Sequence, residues 1–517
     1  MGRRLAAAVL LGLIVGIAGI GTALAAEPAT ISLGTDGWTS LPDGWSDFVG
    51  WDPSTHTGWL NQDLYARIMI VSNDVTLDGN GFTLAGDNTG DGVTLWLKSG
   101  VVVKNLKIRE FTRGIYLVNS HCNSISGNTV AKNVNGIWLQ GSSNNTITGN
   151  ILQGNTDKGI HLMGSAGNTI SSNTATDGSY GIWLQGSPNN TVTGNTASGN
   201  TLRGIQLANC TGNTVSGNTA SNNACGIWLQ GCQKNNIAEN NLRGNSVAGI
   251  HFMGCSENTF SGNLISGGGK GIHGQGSGSN TLNRNSVSGC DCGLSLLASS
   301  GHDIYNNTIT GNCCGLSLWN SSNNRVYNNN FIGNSVQALV GLGTGNVFNL
   351  DRPAGGNYWS NWTGPDTNGD GFVDSPYVFE RRNRLYYGQD NLPWTRENGW
   401  LDAYTFEGFL PPLDSDGATF RLGRSIPVKF RLRDANGDYV ADAGAALFLV
   451  RVVNGIPGEE IDAVSASKSV HDNFFRYSPG DNLYIFNLDT KDLSVGTWRL
   501  RTALDDGTSH HVTIVLE

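Results

Sequence analysis

Charge is scarce in this sequence. Asp, Glu, Lys and Arg make up only 14% of 517 residues, and they leave a net charge of -9. Proteins that hold nucleic acid neutralise phosphates with clustered Lys and Arg, so nucleic acid is excluded as a partner. Beyond the N-terminus no apolar run is long enough to cross a bilayer, and no membrane span is expected in the mature chain. The nine cysteines include no Cys-x-x-Cys with the partner spacing of a zinc site. Carboxylates are sparse where a catalytic pair would be sought. Between Gly114 and Gly345 there are only Asp157, Asp177, Glu239, Glu257, Asp291 and Asp303. No two of them form an obvious acid and base pair of the kind used in glycoside hydrolysis.

What is present begins with a leader. "MGRRLAAAVLLGLIVGIAGIGTALAAEP" sets Arg3 and Arg4 before an apolar stretch, and Ala23-Leu24-Ala25 before Ala26. That order marks residues 1–25 as a cleaved secretory signal, the alternative being a single N-terminal membrane anchor. Behind it, Gly reaches 72 residues and hydrophobic residues 38%. The combination fits a folded, turn-rich β protein better than a disordered chain.

A pattern Gly-[Ile/Leu]-x-[Leu/Phe/Gly] begins at Gly114, Gly136, Gly159, Gly181, Gly204, Gly226, Gly249, Gly271, Gly293 and Gly315, in steps of 22 or 23 residues. A second pattern keeps pace, from "NSISGN" at Asn123 through "NTITGN" at Asn145 to "NRVYNN" at Asn324. Each unit carries three short apolar pulses separated by Asn, Gly and Ser, too short for helices and alternating with period two. Three short strands per 22–23-residue coil, stacked in parallel, predict an all-β right-handed parallel β-helix over residues 68–345, with residues 26–67 as its N-terminal cap. A recurring Asn at one corner, from Asn128 and Asn150 to Asn307 and Asn329, is expected to form an amide ladder along the axis.

In Gly-Ile-x-Leu the Ile and Leu point inward, so position x and the residue after Leu point out. The hexapeptide "GIWLQG" begins at Gly136, Gly181 and Gly226, 45 residues apart. Position x reads Tyr116, Trp138, His161, Trp183, Gln206, Trp228, His251 and His273, and the next outward position includes Gln140, Gln185, Gln230 and Gln275. Arg113, Lys158 and Arg203 precede alternate repeat glycines. An exposed aromatic and amide strip is therefore expected, with Trp every second coil about 9.6 Å apart. That is close to the length of a disaccharide. Indoles stack on sugar rings, Gln bonds hydroxyls and cations meet uronate or sulfate, so a linear polysaccharide, anionic or neutral, is the expected partner. The alternative is that the aromatics stabilise neighbouring coils. If bonds are cleaved, a lyase, epimerase or glycoside hydrolase is implied, with His161, His251 and His273 as candidate bases. His161 with Met163, and His251 with Met253, also pair imidazole with thioether, ligands suited to copper.

Cys210, Cys232 and Cys255 fall six residues after their repeat Gly, in a small inward slot held elsewhere by Ser142, Ser165, Ser187 or Ser277. Cys292 and Cys314 lie on adjacent coils, about 4.8 Å apart, near enough to bridge. An odd total leaves at least one thiol unpaired.

The repeats, the opening "VTLDGNGFTL" and the closing "GGNYWSNWTGPDTNGDGFVDSPYVF" resemble the NosD-like β-helix family over roughly residues 68 to 380. That resemblance implies the fold, and with it a periplasmic copper-handling accessory role linked to nitrous oxide reductase maturation. A purely structural surface or stalk role also remains open. Within residues 346–403, "DTNGDGFVD" places Asp366, Asn368, Asp370 and Asp374 around Gly371 in the manner of a calcium loop, although Tyr377 stands where an EF-hand needs Glu. From 404 to 517 the alternating strands and an Asn436-Gly437 turn predict a small Ig-like β-sandwich. "IPVKFRL" and "LSVGTWRLRTALDDG" are similar to the bacterial PxKF domain, which implies an attachment module, with the cell surface as its candidate anchor, or a spacer, rather than an active site. The expected location is extracellular or at the cell surface, with the periplasm as alternative.

Overall fold

A computed structural model describes residues 27–352, 354–368, 371–379, 388–400, 404–433, 438–441, 443–453, 455–466, 473–504 and 508–517. The leader, Asp370 and the Asn436-Gly437 turn lie outside these. The chain divides into two compact units, one of Met1–Val326, Phe331–Val347 and Val378–Gln389, the other of Tyr327–Asn330, Phe348–Tyr377 and Asp390–Glu517.

The first unit is a parallel β-helix. Its wall is built from two long sheets, and after antiparallel pairings near the start each coil pairs in parallel with the next. One coil supplies the strands Asn135–Gln140, Thr146–Thr148 and Ile151–Gln153. The repeat Ile residues stack in register, Ile115 on Ile137, then Ile160, Ile182, Ile205 and Ile227, and all are fully buried. Burying an Ile or Leu contributes about 1.5–3 kcal/mol, so the repeated pair dominates the core. Among the described residues there is no α-helix, and no helix is long and apolar enough to cross a membrane.

The corners carry amide ladders, as the recurring Asn suggests. The Asn150 Oδ1 accepts both the backbone N–H and the Nδ2 of Asn128 at 3.0 Å, and Asn128 Nδ2 also donates to the Val103 carbonyl. Two further ladders accompany it, one through Asn123, Asn145 and Asn168, the other through Asn133 and Asn155 and then Asn200, Asn223 and Asn245. Each buried amide is thereby satisfied where water cannot reach it. Ser and Cys form a fourth column. Ser142 N–H donates to Ser165 Oγ at 3.0 Å, and Cys210 and Cys232 N–H donate to the sulfurs of Cys232 and Cys255 at 3.4 Å. The inward slot thus holds stacked, buried thiols, and all nine cysteines are free. Cys292 and Cys314 are not bridged.

The repeat Gly has a steric cause. A Cβ on Gly136 would sit 2.5 Å from the carbonyl oxygen of Gly159, and one on Gly181 2.6 Å from that of Gly204. Only Gly lets successive coils close up at this corner.

In the second unit a buried carboxylate, Asp390, gathers the Asn357 N–H at 2.7 Å, the Trp359 Nε1–H at 2.9 Å and the Leu392 N–H at 3.1 Å. Toward the C-terminus lie a four-stranded sheet, which includes Ser425–Arg433 and Leu483–Asp489, and a five-stranded sheet, which includes Ala445–Val453, Gly496–Leu504 and Ser509–Leu516. Val428, Phe486 and Leu488 from the one share a core with Leu447, Leu449, Trp498, Leu500 and Ile514 from the other.

Candidate functional site

The outward strip forms because consecutive coils are in register at position x. Tyr116 pairs with Trp138, Trp138 with His161, His161 with Trp183, Trp183 with Gln206, Gln206 with Trp228, Trp228 with His251 and His251 with His273. Ring centroids follow at 6.1 Å for Tyr116 and Trp138, 4.7 Å for Trp138 and His161, 5.6 Å for His161 and Trp183, 4.1 Å for Trp228 and His251, and 4.6 Å for His251 and His273.

This packing corrects the expected exposure. His161, Gln206, His251 and His273 retain only 4%, 3%, 7% and 6% of their surface, while Tyr116, Trp138, Trp183 and Trp228 are half-buried. Larger rings on both sides cover His161 and the Gln206 amide, whereas His251 lies between Trp228 and His273, and His273 between His251 and Ser295. The second outward rank does stand free, since Gln140, Gln185 and Gln230 are exposed and Gln275 is partly so. Gln140 accepts the Tyr116 hydroxyl at 2.6 Å.

The cations join the stack. Arg113 lies 3.7 Å over the Tyr116 ring, Lys158 4.7 Å over Trp183 and Arg203 4.0 Å over Trp228. Arg113 also grips Asp91 through two nitrogens, and Lys158 meets Asp157 at 2.5 Å. Arg203 instead donates to the neutral Gln206 Oε1 at 2.5 Å. Tyr180, which the repeat pattern passes over, packs 4.6 Å from Trp183. It occupies the same position before the repeat Gly as Lys158 and Arg203, with which it is in register, and that alignment is the signal that would have found it.

Burial holds His161 and His251 down to a pKa of about 4, with Lys158 adding repulsion to the first and His273 and Lys270 to the second. Both ring nitrogens of each are enclosed; Gln185 lies beside the His161 ring, while those of His251 have no hydrogen-bond partner, nor do the indole N–H groups of Trp138, Trp183 and Trp228. His273 differs in having partners on its ring, the Ser295 carbonyl at 3.1 Å from Nδ1 and the Lys270 ammonium at 3.2 Å from Nε2. None of the three imidazoles offers an open lone pair to a substrate.

In the Asp-rich loop expected to hold calcium, Asp366 accepts the Gly371 N–H at 2.9 Å and Asp374 accepts Thr367 N–H and Oγ1 at 2.9 and 2.6 Å. These carboxylates hold the turn. Asn368 is exposed, and Asp370 lies outside the described residues. Among the described residues no three His, Cys, Asp or Glu side chains converge on a metal position.

The family described as periplasmic copper-binding protein (NosD) matches residues 71–248 and 219–364, more than half of the chain. The chain belongs to the NosD family. No curated protein matches it. Among solved structures it is similar to a double mutant of the periplasmic alginate epimerase AlgG, with 16% identity, 50% of this chain and 79% of that one covered, and a TM-score of 0.38. It is also similar to an alginate lyase from Paenibacillus sp. str. FPU-7, with 14% identity, coverage of 50% and 94%, and a TM-score of 0.33. A third is DFA-IIIase from Arthrobacter chlorophenolicus A6 in complex with DFA-III, with 13% identity, coverage of 45% and 73%, and a TM-score of 0.33. At these values the likeness carries nothing about what this NosD-family chain binds.

Copper is the metal that the family description implies. The His161 and His251 imidazoles fit it poorly, because their nitrogens are enclosed by neighbouring side chains. The partly exposed thiols of Cys292 and Cys314 are soft donors on the outer wall and fit it better.

Proposed function

We propose that this NosD-family protein is exported and binds a linear, anionic polysaccharide along the strip from Tyr116 to Gln275. The observation that carries the reading is the two-coil repeat of the strip, an exposed Gln140, Gln185 or Gln230 beside a half-buried indole. Each amide offers donors and an acceptor to sugar hydroxyls, and each indole an apolar flank. Two coils advance about 9.6 Å, near one disaccharide. Arg113 and Lys158 are already opposed by Asp91 and Asp157, so Arg203 is left to meet a uronate or sulfate. The proposal assigns binding and no bond cleavage. Residues 404–517 are assigned as an Ig-like, PxKF-like module for attachment at the cell surface, and the site of action as extracellular, at that surface or in the periplasm.

The test is retention on an immobilised anionic polysaccharide. Changing Gln140, Gln185 and Gln230 together to Ala spares the ring stack and should cut retention, and changing Trp138, Trp183 and Trp228 together to Ala should abolish it. Parent-like retention of both combined variants overturns the reading.

A second reading, copper handling, is favoured by the soft thiols on the wall together with the family description. Cu(I) titration of the parent tests it, and a parent that binds none ends it. His161→Ala and His251→Ala should bind as the parent does.

A further inference from the structure

Of the nine free cysteines, only two face each other across adjacent coils on the outer wall. Cys292 and Cys314 are direct register partners in the parallel strands Cys292–Leu297 and Cys314–Trp319, and both are partly exposed. Cys210, Cys232 and Cys255 also stack, but inward and buried. The next residue in register with Cys292 on its other side is Lys270, so an ammonium adjoins the thiol pair.

Spacing decides what such a pair can do. In-register residues on neighbouring strands stand about 4.8 Å apart, and their side chains rise roughly perpendicular to the sheet, so the stacked Cβ atoms keep nearly that separation. A disulfide needs Cβ atoms about 3.8 Å apart. Forming one here pulls two coils together by roughly 1 Å against their hydrogen-bond ladder. A zinc–thiolate bond is about 2.3 Å, and two bonds of similar length to another soft ion would span on the order of the strand spacing, which leaves room for an ion between thiols that now reach the Leu294 and Leu316 carbonyls.

The geometry points to a two-thiolate site at Cys292 and Cys314 for one Cu(I) ion. The inference rests on the copper reading above and gives it a location. Zinc requires four ligands, and among the described residues no third His, Cys, Asp or Glu joins the pair. Soft thiolates select Cu(I), and two in-line donors suit a monovalent ion. On binding, each thiol releases its proton to solvent and two S–Cu bonds form. Copper enters and stays as Cu(I), so no electron moves. The assembly of two thiolates and one Cu(I) carries one negative charge, which the Lys270 ammonium opposes.

The test uses the full chain, reduced and under inert gas, titrated with Cu(I) supplied as its acetonitrile complex in competition with a chromophoric chelator. The expected result is one bound equivalent with an ultraviolet thiolate-to-copper band. Cys292→Ser and Cys314→Ser should each lose both, while Cys122→Ser and Cys313→Ser keep them. Far-ultraviolet circular dichroism checks that the variants fold, and chemical modification of the remaining thiol confirms its access. If the parent binds Cu(I) and both serine variants bind it equally, the site is overturned while the copper reading stands. If the parent binds none, both fall.

Discussion

Replacing His302 by Asn should remove much of the acid sensitivity of the solenoid. His302 interrupts the amide ladder between Asn280 and Asn324. Its Nδ1 accepts the Asn280 N–H at 3.1 Å, its own N–H donates to Asn324 Oδ1 at 3.0 Å, and its Nε2 is buried, with the Ser277 backbone beside the ring. The ring lies edge-on to Phe252, with centroids 5.9 Å apart. Accepting at Nδ1 requires the neutral ring, and burial lowers the pKa from 6.5 to about 4. Because the folded value is depressed, the unfolded chain takes up the proton first. The stability present above pH 6.5 is lost as pH falls through 6.5 toward 4 and falls no further below. That interval corresponds to about 3 kcal/mol. In His302→Asn the amide accepts both Asn280 donors, as Asn280 Oδ1 does those of Asn258 at 2.9 Å. The smaller side chain leaves a void beside Phe252, a cost that does not vary with pH. The decisive quantity is therefore the difference in unfolding free energy between pH 7.5 and pH 4, from urea titrations at each pH, and it should shrink by about 3 kcal/mol. A variant that loses as much stability as the parent over this range refutes the assignment.

His161 and His251 act with the same sign, so His161→Gln should also flatten the acid limb of the same titration, with no change above pH 7 attributable to charge. Asn195→Ala strips the acceptor from the Asn173 N–H and Nδ2, and at about 1–3 kcal/mol for each orphaned group its urea midpoint should fall clearly. Gly181→Ala forces a methyl to 2.6 Å from the Gly204 carbonyl and 2.9 Å from Ala197 Cβ, and should cost about 1–3 kcal/mol in the same assay. In the second unit Asp390 is the opposite case, raised to about 6 by burial. Its contribution to stability is present below pH 3.8 and lost as pH rises through 6, so Asp390→Ala should weaken the fold most at low pH, read from the emission of the Trp359 it anchors.

The period in the sequence determined the solenoid. A parallel coil repeats one backbone conformation, so each local requirement reappears every 22 or 23 residues, as the Gly that clears a carbonyl, the Asn that caps a corner and the inward Ile and Leu. Which face a residue occupies follows from alternation alone, and Trp138, Trp183 and Trp228 do project outward. Whether an outward residue meets solvent is decided by side chains 22 or 23 residues away, in coils above and below. His161 is enclosed because Trp138 and Trp183 flank it, while Gln185 two positions past Trp183 stays open. The pairing of Arg113 with Asp91 and the freedom of Arg203 from any such carboxylate are likewise set by register across coils. The cysteines show the same division. Their spacing in sequence told that Cys292 and Cys314 stack, but only the structure shows the two thiols free and partly exposed.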